Sequence, residues 1–264
     1  MNMLPIYYRI SITVLAAFGI ALCGAGGLEA APVSISPITV FLPPTARVAT
    51  LTVRNPSDEP LRVQASGLTW RQTEAGQIKT DSTKDLIIYP ELATIPALGV
   101  QQIRVAVTQP PSDQERTYRV VLELLPPQDQ TNPGGSGNPK VSGQLHIRTD
   151  FSVPIYQEPA DAKPSGRVTI SAVRNGVVSF TVANVGNTHL YGDPLKVSAK
   201  DASGKVVFSQ DVPGWVTLAG NTRSFSAQIP RATCKTVRSL SIVGPKDAHL
   251  SDGKLDVAAS DCQA

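Results

Sequence analysis

Three histidines, His146, His189 and His249, and three cysteines, Cys23, Cys234 and Cys262, are the side chains of this 264-residue chain best suited to hold a metal or attack a substrate. Neither chemistry finds its spacing here. Zinc sites typically draw ligand pairs from cysteines with about two to four residues between them or histidines with about three to five between them, whereas these histidines stand far apart along the chain. His146 lies between Leu145 and Ile147, where strand alternation turns it towards solvent. No Gly-x-Ser-x-Gly elbow is present, and the Gly-Gly-Ser-Gly run at 134–137 lacks the lysine and helix start of a phosphate-cradling loop. The carboxylates are scattered through turns, where they serve solubility and turn geometry. The residues supply no catalytic constellation and imply no cofactor. Cys234 and Cys262 lack the Cys-x-x-Cys arrangement of a redox pair.

The first thirty residues set the compartment. Arg9 precedes the apolar run ISITVLAAFGIALCGAGG, and LEAAP follows with small residues. A positive start, a short apolar stretch and a small-residue exit read as a secretory signal peptide, residues 1–30, with a retained N-terminal anchor as the alternative. Cleavage is expected after Ala30, because a cut after Ala31 would leave Pro32 first. A lipid-modified Cys23 would want a small residue before it, and Leu22 is large. Export implies an oxidising compartment, so Cys234 and Cys262 are most simply a structural disulfide.

Net charge is +3 with both signs interspersed, which leaves no basic footprint for nucleic acid. With 41% apolar residues and 22 prolines, the chain has short apolar runs that end in Gly, Pro, Asn or Asp. This is the grammar of an all-β protein. VSISPITVFL, RVATLTVRN and LRVQASGLTW read as strands, followed by a polar insertion, RQTEAGQIKTDSTKD, and then by LIIYPELATIPALGVQQIRVAV and RTYRVVLELLP. Residues 32–158 are expected to form a first domain, 159–165 a short proline-containing linker, and 166–264 a second β domain. A faint echo joins the halves: Thr52-Val53-Arg54-Asn55 and Thr181-Val182-Ala183-Asn184 each precede a turn, too short a match to count as a repeat.

One stretch stands out. Side chains alternate through QLHIRTDFSVPIYQEP, residues 144–159, and the residues just before it, so Val141, Gly143, Leu145, Ile147, Thr149, Phe151, Val153 and Ile155 share one face. Pro154 cannot donate to a ladder in a sheet interior, which places this strand at an edge. The stretch from Phe151 to Ile155 could simply close its own sandwich. Val141 to Ile147 follow directly on a glycine-rich loop, and an exposed apolar edge aggregates unless a partner uses it by strand addition.

The order of residues resembles the periplasmic chaperones of chaperone/usher pilus assembly, and within them the archaic branch. The similar segments are LTVRNPSDEPLRVQ, Leu68-Thr69-Trp70, Asp85 to Pro90, Ile95-Pro96 with Gly99, Gln102-Ile103-Arg104-Val105, Tyr118-Arg119 before Glu123 to Pro126, and Phe151 to Ile155. In the second half, Asn184, the run PGW, and Cys234 and Cys262 with Asp252-Gly253 between them are similar too. The resemblance implies two immunoglobulin-like β-sandwich domains set as a boomerang around a cleft, acting without ATP or covalent chemistry. It implies pilus subunits as partners in the periplasm, held by a donated edge strand, about 141–155, until an outer-membrane usher takes them. By position the donor residues are Val141, Leu145 and Ile147, with Thr149 and Phe151 nearer the cleft. The arginine and lysine that anchor a subunit's C-terminal carboxylate in the better-known members correspond to Thr39 and Ser152 here. Arg104 and Arg119 are the nearest basic substitutes, Arg104 first, since a guanidinium fork matches a carboxylate. A free donor edge also invites self-association of the chaperone. The competing reading is an exported two-domain immunoglobulin-like adhesin or ligand-binding module.

Overall fold

A computed structural model describes residues 33–125 and 149–262. The expected leader and three of the five expected donor residues, Val141, Leu145 and Ile147, lie outside the described residues.

The first half contains β1 (Ser34–Ser36), β2 (Val40–Leu42), β3 (Val48–Arg54), β4 (Leu61–Gln72), β5 (Ile78–Ser82), β6 (Leu86–Tyr89), β7 (Leu92–Ile95), β8 (Val100–Val107), β9 (Arg116–Leu125) and β10 (Thr149–Gln157). They form a four-stranded sheet, β1-β3-β8-β6, and a six-stranded one, β2-β10-β9-β4-β5, with β7 also on β4. Alternation decides which face turns inward. Leu51 and Val53 of β3 and Ile103, Val105 and Val107 of β8 meet Val120, Leu122, Val153 and Ile155 from the other sheet in one core.

Two segments depart from the expected strands. VSISPITVFL does not run as one strand; it divides at Pro37, with β1 antiparallel to β3 in one sheet and β2 parallel to β10 in the other. Without an N–H, Pro37 cannot continue a ladder, and the chain changes sheets there. The polar insertion is a hairpin. β4 continues through Gln72, turns between Thr73 and Gln77, and returns as β5, which is exposed along its whole length and so lacks any apolar alternation to reveal it.

The second half contains β11 (Gly166–Arg174), β12 (Val177–Asn184), β13 (Leu190–Tyr191), β14 (Leu195–Lys200), β15 (Val206–Val212), β16 (Val216–Thr217), β17 (Thr222–Gln228), β18 (Ser239–Val243), β19 (Leu250–Ser251) and β20 (Gly253–Asp256). Sheets β17-β12-β11-β19 and β15-β14-β18-β20 enclose a second core around Phe180, Leu195, Val197, Ile229 and Ile242. A helical turn, α1 (Arg231–Cys234), and a 3-10 turn at Ala259–Cys262 each end on a half-cystine, and Cys234 and Cys262 form the expected disulfide.

The sequence echo proves to be one structural device used twice. The Asn55 side chain accepts from Ser57 N at 3.1 Å and donates to Glu59 O at 2.7 Å and Pro96 O at 3.0 Å. Asn184 accepts from Gly186 N at 3.0 Å and donates to Thr188 O and Thr217 O, both at 2.9 Å. Each therefore closes the turn after its own strand and ties it to a second, distant turn. The distant turns match as well: Leu98 and Gly220 both take the left-handed conformation, at φ 57° and 72°. Asn55→Ala strips buried carbonyls of their donor and should destabilise the first sandwich by about 2 to 4 kcal/mol. Asn184→Ala should do the same to the second, and denaturant titration reads both; a cost below about 1 kcal/mol at either site would refute the shared role.

Candidate functional site

The outer face of the six-stranded sheet is where the cleft-lining side chains collect. Phe41 projects from β2, Trp70 and Gln72 from β4, and Arg119 from β9. Ser152, Pro154 and Tyr156 alternate with the core residues Val153 and Ile155 along β10. Arg119 lies directly opposite Pro154 on β10 and Leu68 on β4. Its Nη1 donates to Ser152 Oγ at 3.0 Å, and its guanidinium carbon sits 4.1 Å from the centre of the Trp70 ring. The residue is only 8% exposed, and burial lowers its proton affinity. Among the described residues no carboxylate forms a salt bridge with it, and its Nε has no hydrogen-bond partner.

The second sandwich supplies the opposite wall. Trp70 and Tyr156 pack with Val216 and Leu218 in a small third cluster between the two cores. Gln72 is held inside it, donating to Val216 O at 3.0 Å and accepting from Leu218 N at 3.0 Å. The β4–β5 turn reaches across, with Glu74 O accepting from Ser224 N at 2.8 Å. Glu115, whose side chain is fully buried, accepts from Thr188 Oγ1 at 2.9 Å and lies 2.7 Å from His189 Nδ1. Asn187 pins the segment before β11, accepting from Lys163 N at 2.7 Å and donating to Asp161 O at 2.8 Å. These bonds hold the two walls in a fixed relation.

Between them lies a cleft of about 350 Å³, lined by Thr39, Phe41, Trp70, Arg119, Pro154 and Tyr156 from the first sandwich and His189, Tyr191, Trp215 and Val216 from the second. His189 stacks on Tyr156 with ring centres 4.1 Å apart, and Phe41 stacks on the other side of Tyr156 at 5.3 Å. Burial, then the nearby Glu115 carboxylate, pushes the Tyr156 phenol up well beyond its usual value, so it stays neutral. Among the described residues no three His, Cys, Asp or Glu side chains come together as a metal would need.

The candidate residues fall in different places. Arg119 lines the cleft, together with Thr39, and Ser152 is its hydrogen-bond acceptor. Arg104 does not join them. It lies on β8 between the core residues Ile103 and Val105, so alternation turns it to solvent on the outer face of the other sheet, beside Thr50 and Tyr89. Thr149 and Phe151 begin β10 opposite Leu124 and Leu122 of β9. Phe151 is half-buried against the first core. Among the described residues, β10 pairs β2 only from Ile155 to Gln157, so its flank from Thr149 to Pro154 is an open edge. The ladder with β9 continues through Pro154, whose missing N–H therefore falls on the open side. Trp215 and His189 were not singled out in the sequence as cleft residues; only the PGW run marked the first of them.

Two β-sandwiches in series, with an open strand edge running into an aromatic cleft around a buried arginine, define the class of fold. A family model described as pili and flagellar-assembly chaperone, PapD N-terminal domain, matches residues 32–163, and this chain belongs to that family. The crystal structure of the class 5 fimbriae chaperone CfaA superposes with a TM-score of 0.55 at 15% identity, covering 85% of this chain and 97% of that one. The YadV chaperone gives 0.53 at 14% identity, covering 85% and 99%. A chain of the CsuC-CsuE chaperone-tip adhesion subunit pre-assembly complex, from the archaic chaperone-usher Csu pili of Acinetobacter baumannii, gives 0.50 at 14% identity, covering 75% and 91%. At such identities the likeness is one of fold. Comparison with curated protein sequences gives no match. By family the chain is thus a pili- and flagellar-assembly chaperone, and the solved structures share its fold.

Proposed function

We propose that this chaperone is exported to the periplasm by residues 1–30, binds pilus subunits by donating its own strand, and passes them to an outer-membrane usher. In this reading residues 32–158 are the subunit-binding domain, 159–165 a linker and 166–264 the second domain. The observation that carries it is the open edge of β10 from Thr149 to Pro154, which leads into the cleft that holds Arg119. A subunit lacking its last strand presents unpaired backbone and apolar pockets, and an edge strand supplies both ladder bonds and alternate side chains. Val141, Leu145 and Ile147 continue the core-facing parity of Thr149 and Phe151, so they would enter those pockets, while Arg119 would receive the subunit's C-terminal carboxylate. Each fully buried apolar side chain contributes on the order of 1.5 to 3 kcal/mol, enough for three of them to hold a subunit without making release impossible. No ATP is needed, since the usher would exchange one donated strand for another.

The test is co-expression with a pilus subunit. A soluble one-to-one complex is expected, and Leu145→Ser with Ile147→Ser should abolish its recovery without lowering the chaperone's own melting temperature. A subunit that stays insoluble with the native chaperone, or is recovered equally with the double variant, would refute donation by this strand.

A further inference from the structure

The cleft holds more aromatic surface than an anchor for a carboxylate requires. The chain has only 14 aromatic residues, six Phe, six Tyr and two Trp, yet both tryptophans line this one cleft. Phe41, Tyr191 and Trp215 leave 51%, 57% and 37% of their surface exposed there. Trp215 sits beside Trp70, ring centres 6.0 Å apart, and takes a left-handed backbone conformation, φ 50°, that a bulky side chain ordinarily avoids. The loop on either side of it is over-determined: Gly214 N donates to Asp193 Oδ1 at 3.1 Å, and Arg223 Nη1 donates to Gly214 O at 2.6 Å and Val216 O at 3.2 Å. Strain that the surroundings enforce, at an exposed ring facing a cleft, is the pattern of a ligand clamp. Beneath it, the Nε1 of Trp70 and the Nε of Arg119 are buried donors without partners among the described residues.

We propose that Trp215, Tyr191 and Phe41 form a subsite for an aromatic side chain on the C-terminal residue of the captured subunit. This rests on the reading of Arg119 as the carboxylate anchor. In a C-terminal phenylalanine or tyrosine the ring centre lies roughly 5 Å from the carboxylate. Arg119 stacks on Trp70, and Trp70 adjoins Trp215, so one residue can place its carboxylate at the guanidinium and its ring against Trp215. An aromatic occupant gains ring-to-ring and N–H-to-ring contacts that an aliphatic one of equal size cannot make. The subsite therefore selects by ring as well as by charge, with the second sandwich supplying the selective wall.

The test uses the native two-domain protein and N-acetyl-Gly-Gly-Gly-Phe as free acid and as amide, beside the same acid ending in cyclohexylalanine. Tryptophan fluorescence reports binding directly, because both tryptophans are in the cleft. The phenylalanine acid is expected to bind about fivefold more tightly than the cyclohexylalanine acid, and Trp215→Leu should remove that preference while keeping the preference for acid over amide. Tyr191→Leu serves the same purpose if the first variant does not fold. Acid preferred over amide with no preference for the ring overturns the subsite and leaves the anchor standing. Acid and amide binding alike, or neither binding, overturns the anchor and the subsite together.

Discussion

Arg119→Ala is expected to weaken subunit capture by about ten- to a hundredfold while changing the chaperone's own stability by no more than about 1 kcal/mol. The first figure follows from the 1.5 to 3 kcal/mol of a hydrogen bond to a charged group, since each 1.4 kcal/mol is a factor of ten in affinity. The second follows from opposing terms. Arg119 loses its cation–π contact with Trp70 and its bond to Ser152, both of which favour the folded chain. Its removal also ends the burial of a cation that has no salt bridge among the described residues, and burial of such a charge is costly. Arg119→Lys keeps the charge and loses the planar fork, so it should restore only part of the affinity. Arg104→Ala should leave capture unchanged, because Arg104 faces solvent on the outer side of the four-stranded sheet. Pull-down of a subunit at graded salt, with thermal melting of each variant, separates these outcomes. Full capture by Arg119→Ala would sink the anchor.

What was legible in the sequence was whatever has a short period. The alternation Phe151, Val153, Ile155 located the core face of β10, and the matching Thr-Val-x-Asn segments marked two asparagines that prove to do the same work. Residues that act by meeting distant partners were not legible. Glu115 reaches His189 and Thr188 across 74 and 73 residues, and Gln72 reaches Val216 across 144; no local pattern announces such pairs. The two candidate arginines, Arg104 and Arg119, meet the same limit. Both arginines sit in apolar strands, and only sheet order separates them, sending Arg119 to the cleft and Arg104 to the outer face of the other sheet. The β4–β5 hairpin was missed for a third reason: an edge strand exposed on both faces has the composition of a loop.

Removing the disulfide should destabilise the second sandwich by about 3 to 4 kcal/mol in the chain-entropy model for a bridge spanning 28 residues. Both sulfurs are buried in the second core, so Cys234→Ala with Cys262→Ala also leaves a packing defect. The elements they join cannot hold themselves, since each is a four-residue helical turn, far below the length at which a helix is stable alone. For a domain of this size the melting temperature of the second sandwich should fall by about 15 °C or more, while the first core stays folded until its contact with Val216 and Leu218 is lost. Function should follow stability in one direction only. Trp215, Tyr191 and His189 all belong to the second sandwich, so reduction should loosen the cleft wall first and lower subunit capture at temperatures where the open edge of β10 is still intact. Melting curves and subunit pull-downs, each with and without a thiol reductant, measure both effects. Equal midpoints under the two conditions would mean that the core around Phe180 and Ile242 holds the terminal turns without the bridge.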